Sequence, residues 1–300
     1  MEFPIAGVVV NPLLLAGIGF VIGTMAGFFG VGGGFLTGPL MFSLGVPMNF
    51  VVGTDLAYMT GKSIIAARRH RVLGHVDIKL GLLMIMGTVP GVEAGAQIIE
   101  LLKKTGKVDI VVAVIYITLL VFISLFTARE SLRALRLNRT ETIDAGEVLD
   151  TDITKYRPKI KLLPMISLPG SGIESISLWL VLGVGFITGL LAGMLGVGGG
   201  FIRIPMLIYI LGIPTHVAIG TDLFEIVFSA GYGTLTHALK GNVDVLMALV
   251  MQIGAAMGVQ IGAVLTRFIS GPLIRLFFSI LPMIGAILVV FQLFNGAAGH

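Results

Sequence analysis

The sequence has no cysteine, which excludes disulfides and thiolate metal sites. It is also poor in charge: Asp, Glu, Lys and Arg make up 12% of its 300 residues, about half of what a soluble domain carries. That is too little to cover a water-facing surface. Neither H-E-x-x-H nor G-x-S-x-G occurs, so the usual hydrolase signatures are missing too. A GKS triplet at 61–63 has Leu56 where a phosphate loop needs its first glycine. The formal charge of +4 does not point to nucleic acid, because the basic residues sit beside hydrophobic ends, as topology signals do. No enzyme, metal centre or cofactor is expected.

What is abundant is apolar. Hydrophobic residues make up 56% of the chain and its mean hydropathy is +1.01. Stretches long enough to span a bilayer lie near 7–29, 48–67, 78–100, 109–127, 177–195, 215–236, 244–266 and 276–294. Two shorter runs, 35–44 and 201–211, are too short to span unaided. The opening MEFPIAGVVVNP lacks a basic n-region, so a retained first span is expected there. The chain reads as an all-α polytopic protein of the cytoplasmic (inner) membrane.

Residues 128–175 break the pattern, with eight of the 20 Lys/Arg and seven of the 16 Asp/Glu. They read as a solvated cytoplasmic linker between a first repeat, 1–127, and a second, 176–300. Arg129, Arg133, Arg136 and Arg139 are expected to extend the preceding helix. The repeats share one register. Gly27, Gly30, Val31, Gly32, Gly33, Gly34, Phe35 and Pro39 return 166 residues later as Gly193, Gly196, Val197, Gly198, Gly199, Gly200, Phe201 and Pro205. With one residue inserted, GTD at 53–55 returns at 220–222, His70 as His237, Asp77 as Asp244, and Gly87, Gly91, Gly95 as Gly254, Gly258, Gly262. Each half then holds about four spanning helices and one short glycine-broken helix. Such duplication is the mark of a secondary transporter. If each short run crosses, five crossings invert the second half; if it dips and returns, four leave the halves parallel. The charges favour an inverted repeat.

The repeated G-x-G-G-G-F…P segment, the following G-[VI]-P…G-T-D and the H…G-x-V-D loop resemble the TauE/SafE family of sulfite and organosulfonate exporters, over essentially everything outside the linker. The resemblance implies movement of a small sulfur oxyanion, such as sulfite or sulfoacetate, with no nucleotide-hydrolysing domain. Many relatives carry Ser or Asn where this chain has Asp55 and Asp222, which leaves coupling and substrate open. The lipid bilayer and the anion are the partners implied, and a homodimer is allowed.

Glycine in an apolar helix costs about 1 kcal/mol against alanine, so the runs must serve something else. Gly32–Gly34 and Gly198–Gly200 would break the backbone at membrane depth and start a short helix whose bare N-terminus attracts an anion. The alternative is close helix packing, which is the expected role of the spaced Gly87, Gly91, Gly95 and Gly254, Gly258, Gly262. Thr54, Thr221, Lys62 and Arg203 complete the expected substrate set. Asp55, Asp222, Glu225 and Glu93 are candidates for coupling, since ionisable residues inside spans default to function. Lys62 is replaced by Ser229 and Arg203 by Thr37 in the opposite half. Asp77 and Asp244 are expected to cap helices, and His70 and His237 to sit at interfaces. A channel-like anion pore with a fixed glycine filter is the competing reading.

Overall fold

A computed structural model of the chain describes residues 2–103, 108–141, 162–195 and 199–297. Ten helices are described: α1 Pro12–Phe29, α2 Gly34–Ser43, α3 Met48–Val72, α4 Ile78–Lys103, α5 Val108–Glu141, α6 Leu178–Leu195, α7 Gly200–Tyr209, α8 Thr215–Leu239, α9 Val245–Leu265 and α10 Gly271–Ala297. The short apolar runs are α2 and α7. Three of the described helical segments, Pro12–Phe29, Ile78–Gly95 and Val245–Phe268, are long and apolar enough to cross a membrane by composition alone. Eight were expected. The central α3 and α8 fall short because they carry buried Asp55, Lys62, Asp222 and Glu225, which lower their hydropathy without bringing them to a surface.

Two further expectations need correction. Residues 2–9 are not helical: β1 (Glu2–Phe3) and β2 (Val8–Val9) pair antiparallel, and α1 starts at Pro12, capped by the Asn11 side chain, which accepts from the Leu13 N–H at 2.9 Å. The expected helical extension through Arg129, Arg133, Arg136 and Arg139 is present, since α5 runs on to Glu141. The other edge of the linker is no loop: β3 (Met165–Leu168) pairs with β4 (Ile173–Ser177) in a hairpin that buries Leu168 and Ile176. Residues 142–161, with Asp144 among them, lie outside the described residues.

Glycine stripes set the packing. A Cβ on Gly87, Gly91 or Gly95 of α4 would strike the carbonyls of Leu182, Phe186 or Leu190 on α6, while Gly185, Gly189 and Gly193 of α6 press on α4 in return. The repeat makes the same joint elsewhere. Gly254, Gly258 and Gly262 of α9 meet Ala16, Phe20 and Thr24 on α1, and Gly19, Gly23 and Gly27 of α1 face α9. Each half thus lends its first long helix to the fourth helix of the other, backbone against backbone. Gly91→Ala and Gly258→Ala are expected to cost about 1–3 kcal/mol by overpacking. Gly17→Ala and Gly183→Ala, where a Cβ meets open space, should be neutral or better. Thermal unfolding of the purified variants compares them.

α3 and α8 run antiparallel along each other. The Thr60 and Thr234 hydroxyls lie 3.2 Å apart, and Gly233 packs on Leu56. At one end Thr221 of α8 accepts from the Asp77 N–H just past α3; at the other Thr54 of α3 accepts from the Asp244 N–H just past α8. Asp77 and Asp244 also cap α4 and α9, accepting from Leu80 and Met247. The start of α1, the end of α2 and the start of α3 share one apolar cluster through Leu15, Met41 and Val51. So α1 and α2 form a hairpin that leaves the helical layer where it came in. α6 and α7 do likewise at the opposite end, where Val181, Leu207 and Ala218 cluster.

Candidate functional site

The two hairpin tips meet in the interior. Gly30 closes α1 in the left-handed region at φ 78°, and Gly33, at φ 77°, precedes α2. Gly199, at φ 70°, precedes α7. Side chains rarely adopt this conformation, which accounts for glycine here. A Cβ on Gly200 would lie 3.2 Å from the Gly32 nitrogen and 3.3 Å from the Val31 Cα, so the two runs touch. Met59 of α3 and Ile226 of α8, which are repeat partners, flank Gly32. Gly34 is the first residue of α2; Gly198 lies outside the described residues.

Around this junction the halves differ. In the first, Lys62 is fully buried, its Nζ stands 3.8 Å from the Tyr58 ring centroid, and no hydrogen-bond partner meets it. A Cβ on Gly33 would lie 3.2 Å from that Nζ, which puts the ammonium at the mouth of α2. Asp55, on the same face of α3 two turns away, has an Oδ1 without a partner. Tyr58 itself is fixed by donating to the Gly19 carbonyl at 2.9 Å. In the second half the cation is Arg203 on α7, also fully buried. Its Nη1 donates to Asp222 Oδ1 at 2.9 Å and to Glu225, and its Nε to Thr188 at 3.3 Å. Only Nη2 is left without a partner. The Asp222 Oδ2 faces Gly200, where a Cβ would come within 2.7 Å of it.

The remaining expected residues lie apart from the junction. The Thr54 and Thr221 hydroxyls tie loops to helices near opposite ends of the layer. Glu93 is exposed, accepts from Gln97, and lines an open cleft of about 540 Å³ with Leu56, Ser229, His237 and Lys240. Ser229 connects that cleft to the interior by donating to Glu225 at 3.2 Å. His70 donates from Nε2 to the Gly27 carbonyl at 2.8 Å and so anchors the end of α1. In the α3–α4 loop, burial first, and then His70, His216 and Arg267, push the His75 imidazole down to about 4, so it is neutral at physiological pH.

Tyr58 and Thr188 were missed by motif reading. One signal does point to them: they occupy the repeat positions of Glu225 and Ile22, columns in which the two halves disagree.

The profile of the sulfite exporter TauE/SafE family matches residues 15–289. The probable membrane transporter protein YunE of Bacillus subtilis is 27% identical over 265 residues, covering 85% of this chain and 88% of its own. YjnA, a probable membrane transporter protein of the same organism, is 27% identical over 279 residues, with 91% and 97% covered. A probable membrane transporter protein of Methanocaldococcus jannaschii is 25% identical over 304 aligned positions, with 94% of each chain covered. No solved structure matches significantly.

Proposed function

Because the chain belongs to the sulfite exporter TauE/SafE family and is a membrane transporter, not an enzyme, we propose that it exports a small sulfur oxyanion, sulfite or an organosulfonate such as sulfoacetate, across the cytoplasmic membrane. The anion sits where the two glycine runs touch. One observation carries this reading: Lys62 is a fully buried ammonium without a hydrogen-bond partner, beside the bare start of α2. A buried ammonium that makes no hydrogen bond is costly until an acceptor joins it, and a helix N-terminus adds amide donors and the positive end of its dipole.

The halves are an inverted repeat in this reading. Support comes from the antiparallel run of the repeat partners α3 and α8. Each α1–α2 or α6–α7 hairpin returns to its own side, leaving three net crossings per half, and an odd number inverts the second. The end bearing Arg68, Arg69, Arg71, Lys79 and Arg267, with the linker, faces the cytoplasm under the positive-inside rule. The open cleft bearing Lys240 then faces outward. Alternating access is favoured over a fixed pore because Lys62 and Arg203, on the two sides of the junction, are both 0% exposed, as a closed site between two access states requires.

Proteoliposome flux of sulfite, sulfoacetate, taurine and sulfate tests the assignment. Saturable, trans-stimulated flux is expected, with taurine weakest because its ammonium faces positive ends. Lys62→Gln should weaken sulfoacetate binding about 10–100-fold, as losing a charged hydrogen bond does. Unsaturable flux would favour the pore, and unchanged binding in Lys62→Gln would remove the anion from this junction.

A further inference from the structure

The buried charges of the second half do not balance. Arg203 contributes one positive group, Asp222 and Glu225 two acidic ones, and all three are 0% exposed. Among the described residues, the elements packed around them add no further cation: α6 supplies the Thr188 hydroxyl, α8 Ser229, and the α1–α2 junction the Gly32 amide. Lys62 lies across the junction beside Gly33, in the half that holds Asp55. Where Glu225 stands in the second half, the first has Tyr58, so only the second half carries a surplus carboxylate. A surplus buried carboxylate is relieved by taking up a proton. Two oxygens are free to hold it, Glu225 Oε1 and Asp222 Oδ2, and the latter points at Gly200.

We propose that Asp222 and Glu225 share one exchangeable proton, and that this proton crosses the membrane together with the anion. The inference rests on the anion reading of the glycine junction. With the proton on, the cluster of one guanidinium and two carboxyl groups is neutral, and an anion can approach Gly200. With the proton off, the cluster is net negative and repels it. Anion and proton therefore favour each other's binding, and by linkage the preference is reciprocal. Export carries the anion outward, so the proton is taken up with it from the cytoplasmic side. It leaves to water in the open cleft, by way of Ser229, which lines the cleft and donates to Glu225. Asp55 has no part in this step, because it belongs to the first half and, among the described residues, no ion pair joins it to Arg203, whose two salt bridges go to Asp222 and Glu225.

The test reads a ratio, protons moved per anion. Full-length protein in proteoliposomes loaded with a pH-sensitive dye is given an inward sulfoacetate gradient between about pH 6 and about pH 8, where both acid groups of sulfoacetate are ionised. The lumen should acidify with roughly one proton per anion, the number that cancels the surplus charge. Asp222→Asn and Glu225→Gln, which each replace one carboxyl by a neutral amide and so leave no proton to exchange, should each lower the ratio at least ~10-fold whatever flux they keep, while Asp55→Asn should leave the ratio at that of the parent. Parent protein that moves sulfoacetate without acidifying the lumen overturns the inference, as do Asp222 and Glu225 variants that both keep the parental ratio. A parent that moves none of the anions speaks instead against the anion reading.

Discussion

Arg203→Ala is expected to lower the unfolding free energy by about 3–5 kcal/mol, the largest stability effect of any single substitution outside the glycine joints. The guanidinium is fully buried and bonds Thr188 on α6 and Asp222 and Glu225 on α8. Removing it leaves two carboxyl groups in a dry interior with no cation beside them, and unties α7 from both neighbours. Combining Arg203→Met with Asp222→Asn and Glu225→Gln takes away the charges on both sides and should restore most of the loss. Lys62→Met gives the contrast. Nothing hydrogen-bonds Lys62, so its removal should leave stability unchanged or improved while binding fails. Thermal unfolding of purified protein, read with and without sulfoacetate, separates these outcomes. Equal destabilisation by Lys62→Met and Arg203→Ala would mean that both cations are structural.

Gly33→Val and Gly199→Val should each abolish measurable anion binding. Both positions have positive φ, at 77° and 70°, where a β-branched residue is strained. A Cβ on Gly33 would come within 2.6 Å of Ile22 Cγ2 and 3.2 Å of Lys62 Nζ, displacing the ammonium held for the anion. On Gly199 it would lie 3.0 Å from Ala192 and 3.2 Å from the Thr188 carbonyl, disturbing the hydroxyl that Arg203 bonds. Gly45→Val supplies a control for backbone strain alone, since Gly45 also has positive φ, at 84°, but nothing lies within 4 Å of its Cβ position. It should lose stability and keep affinity. Calorimetric binding of sulfoacetate to each purified variant decides between them, and undiminished affinity in both junction variants would leave the glycines with a packing role only.

Much of this architecture was legible in the sequence because backbone contacts need small residues at fixed spacing. A four-residue glycine period can only be a helix stripe, so Gly87, Gly91 and Gly95 announced a close helix joint. The identity of the partner was not legible, since every stripe fits every other. The hairpins were not legible for a related reason: hydropathy measures length, and α1 is long enough to span, yet the chain turns at Gly30–Gly33 and comes back. Asp55, Lys62, Arg203, Asp222 and Glu225 were visible as charges in apolar surroundings. That Arg203 is neutralised internally while Lys62 is not depends on which helix faces which, and local pattern carries no such information.

The crossed pairing of α1 with α9 and α4 with α6 bears on how such a chain is made. Each half carries glycine-lined helix surfaces with nothing in that half to press on, and they close only against the other half. During synthesis, α1 is finished more than two hundred residues before α9 emerges, so its stripe must wait in lipid or against a temporary neighbour. The chain can lock only when its second half has been inserted. Two separately produced halves, each with its own edge of the linker, would have nowhere to bury these stripes except in each other, and should assemble as a pair where neither persists alone.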